Sequence, residues 1–320
     1  VDALSDLIRV IRLTGGIFLD AEFSAPWSVF SHVEPEECRP WLLEARHIIS
    51  FHYVVSGSLC ITVEGEPPLS LRAGDIVLLP RNDPHVLCSA PDLEPVHVVV
   101  DPPTDGALLR LVHGGGGERA HVVCGFLGSD APSSPLLASL PRLLTLNVAR
   151  SGAGDWIASS FQFAARGIDT SQVGAASIIS RLSELLFIEA LRGYVASLPP
   201  QQQGWLAALR DPFVSRALSL MHSRPDQTWT AEALASLVGL SRSAFAERFT
   251  TLIGQPPMQY LGQWRMQVAA QRLRASRDPL ARIATEVGYE SEAAFSRAFK
   301  RQFGEPPAAW RNARAVRSGA

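Results

Sequence analysis

The sequence predicts an α+β chain of two domains: an N-terminal β-barrel with flanking helices over residues 1–200, and an all-α domain with two helix-turn-helix units over residues 210–314. Three observations predict it. Short segments rich in Val, Ile and Leu follow one another from Gly16 to about His97 with turn residues between them, the pattern of a β-sandwich or small barrel. One motif is then written twice between Ala231 and Arg311. Finally, the charge divides: residues 1–209 carry 13 Lys+Arg against 22 Asp+Glu, and residues 210–320 carry 16 against 9. A cationic C-terminal third on an acidic body suits a nucleic-acid-binding module attached to something else.

The composition, 47% hydrophobic and 19% charged, is that of a soluble globular chain. No apolar run approaches the roughly 18 residues of a membrane span, so no membrane partner is expected. The N-terminus carries Asp2 and Asp6 and lacks the basic start of a secretory leader. Cys38, Cys60, Cys88 and Cys124 show no CxxC spacing, which predicts reduced thiols and a cytoplasmic setting.

Taken in order, residues 2–13 place Leu4, Leu7, Ile8 and Ile11 at helical spacing and predict a short amphipathic helix. The barrel is expected over about 14–127. His47–Val55, Ser58–Val63 and Asp75–Pro80 read as strands, with turns at Ser56-Gly57, Glu64–Pro67 and Ala73–Asp75. Residues 101–119, with Pro102-Pro103, Asp105-Gly106 and the run Gly114–Gly117, read as a mobile loop. Val122–Phe126 reads as the last barrel strand. Residues 133–147 and 171–198 read as helices, so flanking helices occupy about 133–198. Ala175–Leu198 is apolar on more than one face, which calls for the barrel on one side and a cover on the other. Pro199–Gly204 opens a linker over 201–209, and Asp211–His222 reads as the first helix of the C-terminal domain.

Each copy of the repeat is a short apolar helix, a glycine, a capping Ser, a second helix with Phe at i and i+4, and a Gly-x-Pro-Pro stop. Gly239, Ser241, Phe245, Phe249 and Gly254 make the first copy; Gly288, Ser291, Phe295, Phe299 and Gly304 make the second. The offset is 49 residues at the glycines and 50 from the phenylalanines on, so the second turn holds one extra residue. A tight turn between two such helices is the helix-turn-helix, whose second helix enters the DNA major groove. With its Gly-x-x-Pro ending, the tandem resembles the DNA-binding domain of AraC/XylS-type transcription regulators over about residues 210–314.

Phe245 and Phe249 should face the core. The opposite face of the first recognition helix then presents Arg242, Ser243, Ala246 and Glu247. The second presents Glu292, Ala293, Ser296 and Arg297, with Lys300 and Arg301 nearer the DNA backbone. Arg reaches guanine or phosphate, and Glu accepts from cytosine N4. Tyr260–Arg274 reads as a spacer helix, with Trp264, Val268 and Leu273 inward and Arg265, Arg272 and Arg274 outward. Its roughly 22 Å length suits two recognition helices about one DNA turn apart.

The run Gly74–His85 is similar to the second motif of the cupin family, with Asn82 where that motif usually has Gly. Tyr53–Gly57 resembles the turn closing the first motif, but the first-motif ligand positions read Glu44, Ala45, Arg46 and Ser50. Together with Asp2–Leu7, Ala25–Trp27 and Cys124-Gly125, this resembles the regulatory cupin that precedes the DNA-binding domain in one AraC-family branch. The resemblance implies a transcription regulator that forms a homodimer, with double-stranded promoter DNA and RNA polymerase as partners. His52, His85 and Cys124 are the expected sensing residues. They suit a Zn²⁺ with Asp20 or Glu22 as a further ligand. Without metal, a thiol beside His is expected to have a lowered pKa and to be an oxidant target. A small organic effector, a metal, or an oxidant acting on Cys124 or Cys60 therefore all remain open as the input. A cupin metalloenzyme with a DNA-binding appendage, and a barrel that only dimerises, are the competing readings.

Overall fold

The computed structural model describes residues 2–11, 13–35, 45, 47–98, 109–129, 135–148, 156–157, 159, 175–199 and 202–315. Cys38, Glu44, Arg46 and the predicted loop segment 101–108 lie outside them. The chain forms two compact units, Arg12–Ser197 and a second made of Val1–Ile11 together with Leu198–Ala320.

The first unit is a sandwich of two sheets. Its strands are β1 (Thr14–Ser24), β2 (Ser28–Ser31), β3 (His47–Ser56), β4 (Ser58–Val63), β5 (Leu69–Arg72), β6 (Asp75–Leu79), β7 (His85–Cys88), β8 (Leu109–Gly114), β9 (Arg119–Ser129) and β10 (Leu144–Asn147). One sheet has the order β10-β6-β3-β9-β1-β8 and the other β2-β7-β4-β5. The sheets are open at their edges, so the expected cupin β-barrel takes the form of a cupin-like jelly roll. Alternation along each strand sets the core between the sheets. Ala21, Phe23, Val54, Val77, Leu79, Val122 and Cys124 come from the six-stranded sheet and meet Val29, Leu59, Ile61, Val63, Leu71 and Leu87 from the other.

The outer face of the six-stranded sheet is also covered. Helix α3 (Ala175–Ser197) packs on β1, β9 and β10 and buries Leu182, Leu186, Phe187, Ala190 and Leu191. Strand β3, in the middle of this sheet, is buried along nearly its whole length, which explains its nearly unbroken apolar run. Gly125 of β9 faces Phe51 of β3; a Cβ there would sit 2.3 Å from the Phe51 ring.

Three expectations in this unit are corrected. Among the described residues of 133–147, only α2 (Pro135–Ser139) is helical, and Leu144–Asn147 is an edge strand paired with β6. Pro141 stops the helix, and the Leu-Thr-Leu alternation suits a sheet. Residues 109–114, read as loop, form β8 parallel to β1. Strand β9 lies between β1 and β3 and is not the last strand.

The second unit begins with α1 (Ala3–Ile11), which buries Leu7, Ile8, Val10 and Ile11 against α5 (Pro212–Ser223) and α8 (Pro257–Ala275). Sequence order suggested that this helix belongs with the barrel; its contacts are with the C-terminal helices. A short helix α4 (Trp205–Ala208) occupies the expected linker, with Trp205 and Leu206 buried. The remaining helices are α6 (Ala231–Val238), α7 (Arg242–Ile253), α9 (Leu280–Glu286), α10 (Glu292–Phe303) and α11 (Pro307–Ala315).

Candidate nucleic-acid interface and buried polar site

The two helix-turn-helix units repeat at the level of single hydrogen bonds. After α6 the Leu240 N–H donates to the Ala235 carbonyl, and after α9 the Tyr289 N–H donates to that of Ala284, both at 2.9 Å. These are the closing bonds of the same helix-ending turn, with Gly239 and Gly288 left-handed at φ 83° and 78°. The Ser241 hydroxyl then accepts from the Ala244 N–H and the Ser291 hydroxyl from the Ala294 N–H, both at 3.2 Å. Glu290 is the extra residue between glycine and cap in the second unit.

The caps fix the roll of α7 and α10. Phe245, Phe249, Phe295 and Phe299 are fully buried. Arg242, Ser243 and Glu247 stand exposed at the N-terminal end of α7, with Ala246 half-buried beside them. On α10, Glu292, Ala293, Arg297, Lys300 and Arg301 are exposed and Ser296 is half-buried. Among the described residues, neither Arg242 nor Arg297 is held in an ion pair.

Arg248, also on α7, behaves differently. It bridges Asp211 at 2.6 Å and lies over the Phe213 ring. Asp211 is also the N-cap of α5, accepting from the Phe213 and Val214 N–H groups. Arg248 therefore fastens α7 to α5 rather than facing a ligand.

The spacer helix α8 departs from the sequence reading in its arginines. Arg272 pairs with Glu286, Arg274 packs over Trp310, and half-buried Arg265 donates to two carbonyls. Arg272 is exposed as expected, while Arg265 and Arg274 are half-buried. The outward reading missed their partners, because these come from other helices and loops.

A second feature that sequence reasoning missed surrounds His222. Its ring is buried and stacks on Trp264 with centroids 3.8 Å apart. The Tyr260 hydroxyl lies 2.7 Å from Nε2 and accepts from Trp205 Nε1–H at 2.9 Å; the Ala3 carbonyl lies 3.3 Å from Nδ1. Burial pushes the imidazole pKa down to about 3. The neutral ring then donates from Nδ1 to Ala3 and accepts at Nε2 from Tyr260. This network ties α1, α4, α5 and α8 together.

In the jelly roll, His52, His85 and Cys124 converge. His52 and Cys124 are directly opposite on β3 and β9, and His85 opens β7 on the facing sheet. All three are buried. His52 Nδ1 lies 2.9 Å from Cys124 Sγ, His52 Nε2 lies 2.7 Å from His85 Nε2, and His85 Nδ1 lies 2.9 Å from the Asp83 carbonyl. The carbonyl can only accept, so His85 carries its proton on Nδ1. In the neutral rings, His52 then donates from Nε2 to His85 and accepts at Nδ1 from the Cys124 thiol. The result is a one-way chain from Cys124 through His52 and His85 to Asp83. Asn82, in the preceding turn, takes a left-handed conformation at φ 54°, supplying what glycine would at that position.

The electrostatics match a neutral chain. Burial, together with the neighbouring His85, holds His52 well below the usual histidine range; burial lowers His85 to about 4 and raises Cys124 to about 12. The expected low-pKa thiol is therefore corrected: no imidazolium stands beside Cys124 to stabilise a thiolate. The geometry does not favour the Zn²⁺ reading. The His52 ring turns one nitrogen to Cys124 and the other to His85, so the three donors do not aim at one point. Asp20 is bonded to His121 and Glu22 is exposed, so neither completes a ligand set. Among the described residues, no group of three His, Cys, Asp or Glu side chains suits a metal ion. Cys60 and Cys88 are buried and opposite each other on β4 and β7, away from this chain.

Comparisons with known proteins agree with both halves. A cupin family model matches residues 2–196, and a helix-turn-helix domain model matches residues 234–313. An AraC-like transcription regulator of Streptomyces antibioticus is 32% identical over 97% of this chain and 98% of its own length. The HTH-type transcriptional regulator AlkR of Acinetobacter baylyi is 31% identical over 97% and 99%. The RCS-specific HTH-type transcriptional activator RclR of Escherichia coli is 27% identical over 97% of both chains. These relatives are regulators, not enzymes, and none of the described residues forms a helix long and apolar enough to cross a membrane. With capped twin recognition helices at one end and a cupin-like sandwich at the other, this chain belongs to the AraC-like family of DNA-binding transcription regulators.

Proposed function

We propose that α7 and α10 read two consecutive major-groove segments of promoter DNA, and that the jelly roll controls this binding through oxidation at Cys124. The observation that carries the sensing half is the chain Cys124–His52–His85–Asp83. It is a directional polar path whose thiol end belongs to the apolar core between the sheets. In the resting chain the thiol is neutral and its proton is shared with His52 Nδ1. When the sulfur attacks a hydroperoxide-class oxidant, the O–O bond breaks, the thiol proton passes by way of His52 to the departing oxygen, and the products are a sulfenic acid at Cys124 and an alcohol or water. His85, held by the Asp83 carbonyl, orients the His52 ring for that transfer. A polar sulfenic acid no longer fits the apolar wall, which gives the two states of the jelly roll different packing energies.

On the DNA side, exposed Arg242 and Glu247 read one segment and Arg297 the other, with Lys300 and Arg301 on phosphates. A homodimer, formed across the exposed side of α3 where Ile178 and Leu185 stand 50% and 40% exposed, places two such readers on one operator. The setting is cytoplasmic, and RNA polymerase is the downstream partner.

The test is promoter affinity of the purified full chain before and after hydrogen peroxide, for wild type and Cys124→Ser. We expect the wild-type affinity to change and the variant to bind DNA but not respond. An unaltered response in Cys124→Ser, or stoichiometric zinc that Cys124→Ser loses, overturns the oxidant reading.

A further inference from the structure

The two helix-turn-helix units share one helix. Tyr260 and Trp264 of α8 serve the first unit: Tyr260 packs edge-on against Phe249, and Trp264 stacks on His222. From Met266 onward α8 serves the second, where Met266, Ala269, Ala270 and Leu273 join Ile283, Val287, Phe295 and Phe299 in one cluster. The change of allegiance falls between Trp264 and Met266, at Arg265.

Arg265 points away from both cores and joins the units outside the helix axis. Its Nε donates to the Pro225 carbonyl at 2.7 Å and its Nη2 to the Gln227 carbonyl at 2.8 Å. Both carbonyls belong to the loop that runs directly into Thr230, the N-cap of α6. On its other side the guanidinium lies 6.0 Å over the ring of Tyr289, in the turn of the second unit. Tyr289 in turn packs against Phe295, the first core residue of α10. Gly288 makes this approach possible. A Cβ on it would lie 2.6 Å from Arg265 Nη2 and 2.8 Å from the Pro225 carbonyl oxygen, so first-unit loop and second-unit turn meet at the guanidinium.

We infer that Arg265 is a positioning residue for DNA recognition: it clamps the loop before α6 to the turn before α10 and so fixes the spacing and phase at which the two recognition helices meet DNA. A lone spacer helix sets a length but still bends and twists. An off-axis tie of two charge-assisted hydrogen bonds and a ring contact removes that freedom. The planar fork is needed to reach two carbonyls and a ring at once, which a lysine cannot do. Arg265 touches no base; it acts through the placement of α7 and α10. The inference rests on the reading that both helices contact DNA.

The test selects sites by the full chain from DNA with two randomised blocks, separated by spacers varied one base pair at a time around a helical turn. Wild type should recover both blocks at one spacing. Arg265→Met, which keeps an apolar stem, should recover the same bases in each block but across several neighbouring spacings. It should also lose about tenfold in affinity at the wild-type site. Arg265→Lys should behave likewise if Arg265→Met fails to fold, as judged by its unfolding transition. A folded variant that keeps one sharp spacing overturns the clamp. So does loss of base preference in one block, which would make Arg265 a reader or a support of one unit. A single recovered block in wild type overturns instead the two-helix reading beneath it.

Discussion

Arginines of the same helical domain do different work, and their partners decide which. Arg248 is spent on Asp211 and Phe213, Arg274 on Trp310, and Arg265 on two carbonyls. Arg242 and Arg297 are exposed and hold no ion pair among the described residues, which leaves their guanidinium forks available for the proposed DNA contact. Arg297→Ala should therefore cost about 1–3 kcal/mol of operator binding and relax base preference in one half of the subsite. Titrations of half-site variants check this; unchanged affinity and preference would remove Arg297 from the reading set. The residue scale also shows what proximity to His does and does not do. Cys124 sits beside an imidazole, yet its own burial raises its pKa, and that imidazole, buried and neutral, offers no counter-charge. A residue list of one Cys and two His cannot reveal this; the protonation of each ring follows from the atom facing it.

At the scale of elements, the repeat unit keeps its caps, glycine turns and phenylalanines in register through an inserted residue. The insertion is absorbed between Gly288 and Ser291, where the loop has no ladder to disturb. Helix α1 is the element whose sequence neighbours and packing partners differ: it lies within the cupin family match at residues 2–196 but packs on the helical unit. Its apolar face meets α5 and α8, the Ala3 carbonyl faces His222, and Gln271 Nε2 donates to the Arg9 carbonyl. Deleting residues 2–11 should expose Leu7, Ile8, Val10 and Ile11 partners on α5 and α8. It should lower the stability of the DNA-binding unit by at least about 2 kcal/mol. Hydrogen exchange at α8 amides measures it, and protection equal to wild type would show that α1 adds nothing to that unit.

For the molecule as a whole, each unit contains buried neutral histidine. His52 and His85 lie in the jelly roll and His222 among the helices; their folded pKa values fall below the ordinary 6.5, to about 4 for His85 and about 3 for His222. The unfolded chain therefore binds protons more readily than the folded one. Stability is complete above pH 6.5 and is lost as pH falls from there towards 4. A drop on the order of 5–10 °C in unfolding midpoint is expected between pH 7 and pH 4.5, in both units. A midpoint that stays flat over that window would mean these imidazoles find solvent or a counter-charge when protonated.

The sequence by itself determined what is local. Gly239, Ser241, Ser291 and the paired phenylalanines specify helix ends and buried faces over a few residues, so α7 was legible from Arg242 to Ile253 as it stands in the structure. Strands β3, β4 and β6 were legible for the same reason, through short apolar runs bounded by turn residues. What depends on partners far along the chain was decided only by tertiary packing. Strand β8 has a short pattern and exists as a strand because β1 pairs with it. Leu144–Asn147 became a strand because β6 offered an edge. His52, His85 and Cys124 do converge, but which nitrogen meets which partner was not legible, because the direction of each ring decides it. Arg265 was read as outward-facing, and only the close approach of Pro225 and Gly288 shows it tied to the loop before α6 and beside the turn before α10.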